Sequence, residues 1–166
     1  MPAQAAEFTE FARAHTPALL RSAYLLTGDQ HLAEDLVQTA LARTHRAWQR
    51  IDGNAPAYTR RIMYHLQVSW WRKKKVKERF SDTPPPGRAA DDEDVALQLT
   101  VRKALLGLSK MQRAVVVLRF FEDRGVDEAA AILGCSSGTV KTHTSRALGN
   151  LRTVLPELAE LAEGSR

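Results

Sequence analysis

Hydrophobic residues recur along most of this chain at intervals of three and four positions, the spacing that places them on one face of an α-helix. Alternating apolar runs around a hairpin dipeptide, which would indicate β-strands, are nearly absent. We therefore predict an all-α protein. The predicted helices cover residues 7–26, 31–50, 57 to about 79, 95–108 and 110–121, followed by a helix-turn-helix pair. Pro17 lies inside the first helix, where a proline can break or kink it. Ser109 is the expected N-cap of the helix over 110–121.

The apolar periodicity stops between residues 81 and 94, which hold three consecutive prolines and a cluster of acids. A segment of this composition cannot bury a core and is typical of a flexible linker. The sequence thus predicts two small helical domains, residues 5–80 and 95–155, joined by an acidic, proline-rich linker. Pro156 interrupts the last helix and leaves a short acidic tail over residues 156–166.

The stretch 128–152 has the signature of two helices joined by a sharp corner. Its alanines allow the helices to approach closely, Gly134 supplies the backbone freedom of a tight turn, and Ser136 or Ser137 can cap the second helix. Five positions of the second helix recur at helical spacing and are predicted to face the core, namely Val140, Thr144, Ala147, Leu148 and Leu151.

The opposite face of that helix is polar and basic. Short hydrogen-bond donors and cations are the side chains that reach base edges and phosphates in the major groove of DNA. The predicted DNA-binding residues are Ser136, Ser137, Gly138, Thr139, Lys141, Thr142, Ser145 and Arg146. The alternative interpretation is an ordinary helical hairpin with a solvated face, but the corner, the cap and the basic face occur together here.

A second basic element is the helix that follows Pro56. Residues 57–79 contain eight Lys or Arg against a single acid, Glu78, and two adjacent tryptophans, Trp70 and Trp71. Aromatic rings stack on unpaired bases while cations hold the phosphates, so this composition suits a melted DNA strand. Two alternatives stay open: one tryptophan packs mainly in the core, because adjacent helical residues diverge by about 100°, or the basic run is a solvated face.

Composition narrows the class of protein. The net charge of +5 favours a polyanionic partner. Apolar runs are too short to span a bilayer, and the first residues do not resemble a signal peptide. Cys135 is the single cysteine, which is typical of a protein in a reducing compartment. We therefore expect a cytoplasmic, nucleoid-associated protein without membrane insertion. The five histidines are scattered over different helices, and we predict no enzyme activity, no metal site and no cofactor.

Taken in order, these motifs resemble the extracytoplasmic-function group of sigma-70-type RNA polymerase sigma factors. The resemblance is carried by YLLTGD (24–29) with AEDLVQ (33–38), by AYTRRI (57–62) with WWRKK (70–74), and by LRFFED (118–123) followed by LGCSSGTVK (133–141) and SRAL (145–148). It covers about residues 8–152. The family directs promoter recognition at the −35 and −10 elements and strand opening without nucleotide hydrolysis.

The resemblance implies roles that spacing alone does not give. The face that grips the polymerase clamp helices would hold Asp35, Leu36, Gln38, Thr39 and Leu41, although Thr39 departs from the usual family glutamate. The residues implied at the −10 element are Asn54, Tyr58, Arg60, Arg61, Tyr64, Trp70, Trp71, Lys73 and Lys74, with Asn54 in the pocket for a flipped base. The helix-turn-helix would bind the −35 element.

The implied partners are core RNA polymerase, through its clamp helices and flap, and promoter DNA, both as duplex and as melted single strand. The resemblance also implies an anti-sigma factor as a candidate partner. Two alternative functions remain at this point: a stand-alone helix-turn-helix regulator that does not join polymerase, and a helical adaptor that binds only proteins. A stand-alone regulator would leave the basic aromatic helix, residues 57–79, without a function.

Overall fold

The structure, a computed structural model, describes residues 2–74 and 92–154, and all regular elements within them are helical. They are α1 (Pro2–Thr27), α2 (Gln30–Arg46), a 3₁₀ turn (Trp48–Arg50), α3 (Ala55–Lys74), α4 (Asp92–Leu106), α5 (Lys110–Val116), α6 (Val126–Leu133) and α7 (Ser137–Val154). A π-helical segment, Val117–Phe121, continues α5. The all-α prediction is confirmed for the described part of the chain.

The observed helices differ from the predicted ones in several places. Helix α1 is continuous through Pro17, and α2 ends at Arg46 because the chain tightens into the 3₁₀ turn after Ala47. Helix α4 begins at Asp92, so three residues assigned to the linker belong to a helix instead; acidic residues are favourable at a helix N-terminus, which carries a partial positive charge. The rest of the predicted linker, the end of the basic helix and the acidic tail lie outside the described residues.

The N-terminal domain consists of α1, α2 and α3. Gly28 adopts a φ of +70°, which lets the chain reverse after α1. The Asp29 carboxylate then caps α2 by accepting a hydrogen bond from the Leu32 amide at 3.0 Å. The helices bury one apolar face against each other, including Leu19, Ala23, Leu26, Ala33, Leu36, Val37, Ala40 and Met63.

The C-terminal domain consists of α4 to α7. Ser109 caps α5 as predicted: its hydroxyl accepts from the Gln112 amide at 3.2 Å, and the Gln112 side chain accepts from the Ser109 amide, which completes a capping box. Arg113 is 1% exposed, and its Nε donates to the Leu105 carbonyl at 2.8 Å. This arginine therefore satisfies carbonyl groups where α4 ends.

The two domains pack directly against each other. One buried cluster combines side chains of α1, α2 and α3 with side chains of α5, the π-helical segment, α6 and α7. Its C-terminal members are Ala114, Val115, Val117, Leu118, Ala129, Ala130 and Val140. This shared core was not predictable from the sequence, because helical periodicity shows that a face is buried and does not show against which partner it packs.

Candidate nucleic-acid interface

The corner before α7 has the geometry that the sequence predicts. Gly134 has a φ of +71° in the left-handed region, and its amide donates to the Ala130 carbonyl at 2.8 Å, which closes α6. Of the two candidate caps, Ser136 is the one used: its hydroxyl accepts from the Thr139 amide at 3.1 Å. Helix α6 begins after Gly125, which occupies the N-cap position and offers no side-chain bond.

Helix α7 divides into the two predicted faces. Val140, Ala147, Leu148 and Leu151 are buried and Thr144 is half-buried, as expected from their spacing. The opposite side is open to solvent, where the exposed residues are Ser136, Gly138, Lys141, Thr142, Ser145 and Arg146. Ser137 and Thr139 are half-buried. The structure thus brings the eight candidate residues together on an accessible helix, and their contact with DNA stays a prediction.

Ser137 makes a contact that the sequence did not suggest. Its hydroxyl donates to the Asp127 carboxylate at 2.6 Å, which links the first turn of α7 to the first turn of α6. The bond holds the angle between the two helices of the pair. It also places a negative charge beside the first residues of α7, where it disfavours close approach of an anion such as a phosphate.

A basic recess of about 430 Å³ lies beside the exposed face of α7. Arg119, Lys141 and Arg152 line it, and Phe120 and Leu148 contribute apolar wall. Arg119 Nη1 donates to the Arg124 carbonyl at 3.0 Å, so its guanidinium is held in place. Arg119 and Arg152 were missed as candidates because Arg119 lies before the hairpin, on the π-helical segment, and Arg152 lies near the end of α7, far from the turn.

Helix α3 presents part of its predicted DNA-facing set to solvent. Tyr58 is 38% exposed and Arg61 is exposed. Asn54, the candidate for binding a flipped base, is exposed and caps α3, since its Oδ1 accepts from the Ala57 amide at 3.0 Å. The side chains of Trp70, Trp71, Lys73 and Lys74 lie outside the described residues, although their backbone continues α3.

Two further candidates on α3 are turned towards the C-terminal domain. Arg60 Nε forms an ion pair with Glu122 Oε1 at 2.7 Å, and the Tyr64 hydroxyl donates to Glu122 Oε2. Tyr64 is fully buried, so the expectation that it contacts DNA does not hold in this conformation: its ring belongs to the shared core. Burial, and then the charge of Glu122, raise the pKa of Tyr64 well above its ordinary value.

The predicted polymerase-binding face of α2 is largely accessible. Asp35 and Gln38 are exposed, and Thr39 and Leu41 are half-buried. Leu36 does not belong to the accessible part of this face. It is 0% exposed and packs in the core, because its position on the helix points towards α1 and α3. Its contribution is therefore to the stability of this face and not to direct contact with a partner.

Beside this face, α1 and α2 form an open recess of about 390 Å³. Gln38 and Leu41 share it with Phe8 and His45, which the sequence did not single out for this role. The Phe8 ring lies 4.7 Å from the His45 ring and 5.3 Å from the Trp48 ring, measured between centroids. Aromatic packing thus gives the recess a fixed apolar wall.

Residues 2–74 and 92–154 contain neither a candidate metal-binding group nor a candidate membrane-spanning helix. They contain no group of three or more His, Cys, Asp or Glu side chains placed to hold a metal ion. Of the helices formed by the same residues, none has the length and apolar character that a membrane span requires.

Each of the two domains matches a known protein family. Residues 11–76 match the model of sigma-70 region 2 and residues 98–151 that of sigma-70, region 4. The RNA polymerase sigma-E factor of Streptomyces coelicolor is 43% identical over 155 residues, 90% of this chain and 86% of that protein. The ECF RNA polymerase sigma factor SigL of Mycobacterium tuberculosis is 30% identical, and the alignment covers 87% of this chain and 86% of that protein. The sigma factor RpoE of Bartonella quintana, solved in complex with the anti-sigma factor NepR, aligns with a TM-score of 0.69 at 27% identity over 91% of this chain and 98% of that one.

Proposed function

This chain belongs to the sigma-70 family of RNA polymerase sigma factors, in its extracytoplasmic-function group, and on that premise we propose how its two domains divide the work of initiation. The C-terminal domain binds duplex DNA at the −35 element. The N-terminal domain binds core polymerase through α2 and the melted −10 strand through α3. The protein acts in the cytoplasm at the nucleoid, and opening the strands draws on binding energy alone, with no catalysis by the chain itself.

The observation that carries the −35 assignment is the two-faced character of α7. One face is buried in the domain, so the helix is held rigidly, while the other presents donors and cations to solvent. A helix held by its corner and its core can enter the major groove, where Lys141 and Arg146 meet phosphates and Thr142 and Ser145 meet base edges. Arg119 and Arg152, at the neighbouring recess, extend the positive surface along the backbone of the duplex.

For the N-terminal domain, the proposal rests on the accessible groups of α2 and α3. Asp35 and Gln38 offer polar contacts beside the apolar recess of Phe8 and Leu41, a combination suited to packing against helices of a protein partner. On α3, Tyr58 and Arg61 are exposed for stacking and phosphate contact. Asn54 lies at the start of the same helix, where we place the extruded base.

In vitro transcription with core polymerase and a library of promoter templates tests the proposal. We expect specific initiation that is lost when Lys141 and Arg146 are both replaced by alanine, and retained when the exposed Lys103 of α4 is replaced instead. If no template gains specific initiation with the unaltered chain, the proposed function is wrong.

Copurification with core polymerase separates this function from the alternatives. A sigma factor is retained on immobilised core polymerase, whereas a stand-alone regulator or a helical adaptor elutes. The replacement Gln38→Ala is expected to weaken retention, and Lys103→Ala is not. An anti-sigma factor is a further proposed partner, by likeness to the RpoE–NepR complex.

A further inference from the structure

The hydroxyl group of Ser137 is committed as a hydrogen-bond donor within the protein. It donates to Asp127 Oδ1 over 2.6 Å, a length typical of bonds from a hydroxyl to a charged carboxylate. The direction of this bond is fixed, because an ionised carboxylate has no hydrogen to donate. A serine hydroxyl carries one hydrogen and two lone pairs. Ser137 therefore meets any further partner as an acceptor, through the lone pairs of Oγ.

Ser137 lies at the end of α7 that approaches base edges. It is the first residue of the helix, and the N-terminal residues of the second helix of a helix-turn-helix contact base edges in the major groove. Among the described residues, the nearest neighbour of a Cβ atom added to Gly138 would be Ser136 Oγ, 3.8 Å away, which is ordinary contact. The fold itself does not require a glycine here, whereas the missing side chain lets DNA approach the backbone beside Ser137.

An acceptor at this position is unsuited to the DNA backbone. Phosphate oxygens are themselves acceptors, so a bond to them requires a donor. The carboxylate of Asp127 is exposed beside Ser137 and repels the charge of a phosphate. The partner that remains for Ser137 Oγ in the major groove is a base edge that donates.

Donating and accepting base edges divide the four bases into two classes. Adenine and cytosine present an amino group in the major groove, at N6 and N4, whereas guanine and thymine present a carbonyl, at O6 and O4. An acceptor bonds to the amino groups and leaves the carbonyls without a donor. A serine whose hydroxyl was free to rotate would donate or accept as each base required, and it would not separate the two classes.

We propose that Ser137 is a specificity-determining residue of the helix-turn-helix, which selects adenine or cytosine on the strand that it faces and rejects guanine and thymine. Asp127 is the positioning residue that fixes the polarity of the Ser137 hydroxyl. The inference rests on the proposed function of α7 at the −35 element and names a class of base that this helix recognises.

Selection from a DNA library tests the proposal. The full chain, joined to core polymerase, is incubated with promoter duplexes whose −35 region is randomised, and the bound duplexes are sequenced. With the unaltered chain we expect one position at which adenine and cytosine together are enriched about fivefold over guanine and thymine. Ser137→Ala should lose this preference at that position and keep the preferences at the others.

Asp127→Ala tests the positioning role, with Glu128→Ala as the matched control. Removal of the Asp127 carboxylate frees the Ser137 hydroxyl to donate, so guanine and thymine should become as frequent as adenine and cytosine at the same position. Glu128 carries the same charge in the same turn of α6, but its side chain is 62% exposed and pairs with Arg124 at 3.4 Å. The control should keep the preference. Equal relaxation by both variants would assign the effect to lost charge and overturn the role of Asp127.

Base analogues test the contact while the protein stays unaltered. At the selected position, adenine is replaced by purine, or cytosine by 2-pyrimidinone, so that the amino group is lost. This group also pairs with the opposite base, so the comparison is between two proteins on the same two duplexes. We expect the unaltered chain to lose about fivefold more affinity on this replacement than Ser137→Ala loses.

Three results would overturn base selection by Ser137. They are equal losses of affinity in the analogue comparison, an unchanged preference for adenine and cytosine in Ser137→Ala, and a smaller slope of log affinity against log salt in that variant, which would indicate a lost phosphate contact. If the unaltered chain enriches no duplex over the input library, the proposed function of α7 fails and the inference fails with it. Enrichment without a preference that depends on Ser137 overturns the inference alone.

Discussion

Arg113 donates a hydrogen bond from Nη1 to the Leu26 carbonyl over 2.7 Å, and this bond joins the two domains. The same guanidinium donates to the Leu105 and Leu108 carbonyls, at 2.8 and 3.2 Å. Leu26 lies in the last turn of α1, and Leu105 and Leu108 lie where α4 ends. A buried cation thus meets the partial negative charge at the ends of two helices, one from each domain.

Replacing Arg113 by Met tests this arrangement. The change keeps most of the buried volume but removes the donor of the Leu105 and Leu108 carbonyls. The Leu26 carbonyl keeps only the bond from Gln67 Nε2, at 2.9 Å. We expect the free energy of unfolding to fall by about 3 kcal/mol, because hydrogen bonds from a buried charged group contribute about 1.5–3 kcal/mol each and are only partly replaced. Urea unfolding followed by circular dichroism measures the change. Lys103→Met, on the exposed side of α4, should stay within about 0.5 kcal/mol, and equal losses in both variants would contradict the role of Arg113.

The raised pKa of Tyr64 predicts a loss of stability at alkaline pH. Its folded pKa is raised, first by burial and then by Glu122, so the folded state keeps a proton that the unfolded state releases at about pH 10. The stability that this tyrosine contributes is therefore complete below that pH and is lost as the pH rises through the folded pKa. Unfolding in urea between neutral and strongly alkaline pH measures the decline, and the absorbance of tyrosinate identifies the late-titrating ring.

The control for this prediction is Tyr64→Phe, which should remove the late phase of the tyrosinate titration. Glu122→Gln should move that phase to lower pH, because it removes a negative charge that opposes ionisation. A titration that is the same in all three proteins would show that Tyr64 is not the residue responsible.

Lys141→Ala is expected to weaken binding to a −35 duplex and to reduce the slope of log affinity against log salt by about 1, the effect of one lost phosphate contact. The reason is its exposed position on the outer face of α7. Anisotropy titrations of a short labelled duplex at several salt concentrations give both quantities. Affinity for core polymerase should be unchanged, and a parallel loss of both would refute the division of labour between the domains.

The double replacement of Trp70 and Trp71 by Ala is expected to impair strand opening more than promoter recruitment. Stacking contributes about 1–3 kcal/mol per base, so open-complex formation should fall by about tenfold or more. Permanganate footprinting of the −10 thymines measures opening, and electrophoretic mobility measures recruitment. Unchanged footprints in the variant would remove both tryptophans from the melting step.

Ser109→Ala tests a feature that the sequence already indicated. Loss of the capping box should lower the free energy of unfolding by about 1 kcal/mol. Ser145→Ala, on the exposed face of α7, provides the comparison and should have little effect on stability. A loss from Ser109→Ala no larger than the one from Ser145→Ala would mean that the cap is not stabilising.

Local signals in the sequence identified most of the fold. The cap at Ser109, the corner at Gly134 and the buried face that contains Val140 and Leu148 were all predicted, because each depends on neighbours within a few residues. The exposed face of α7 followed from the same periodicity. These features are encoded where they occur, and a helical wheel is enough to find them.

Contacts between distant parts of the chain were not predictable in this way. Tyr64 and Glu122 are 58 positions apart, and nothing near either residue indicates the other. The family resemblance implied that Tyr64 lies at the −10 element, whereas the second domain supplies an apolar surface that buries it. Leu36 was likewise assigned to a binding face because its motif surrounds it, although its own angle on α2 points inward.

The sequence by itself determined the helices, the helix-turn-helix pair with its exposed polar face, and the family. Tertiary structure alone decided that the domains share one core, that Arg113 bridges two helix ends, and that Glu122 covers Arg60. The physical reason is that helical periodicity and capping are local properties of the chain, whereas the partner of a buried face depends on which surfaces meet after the helices have formed.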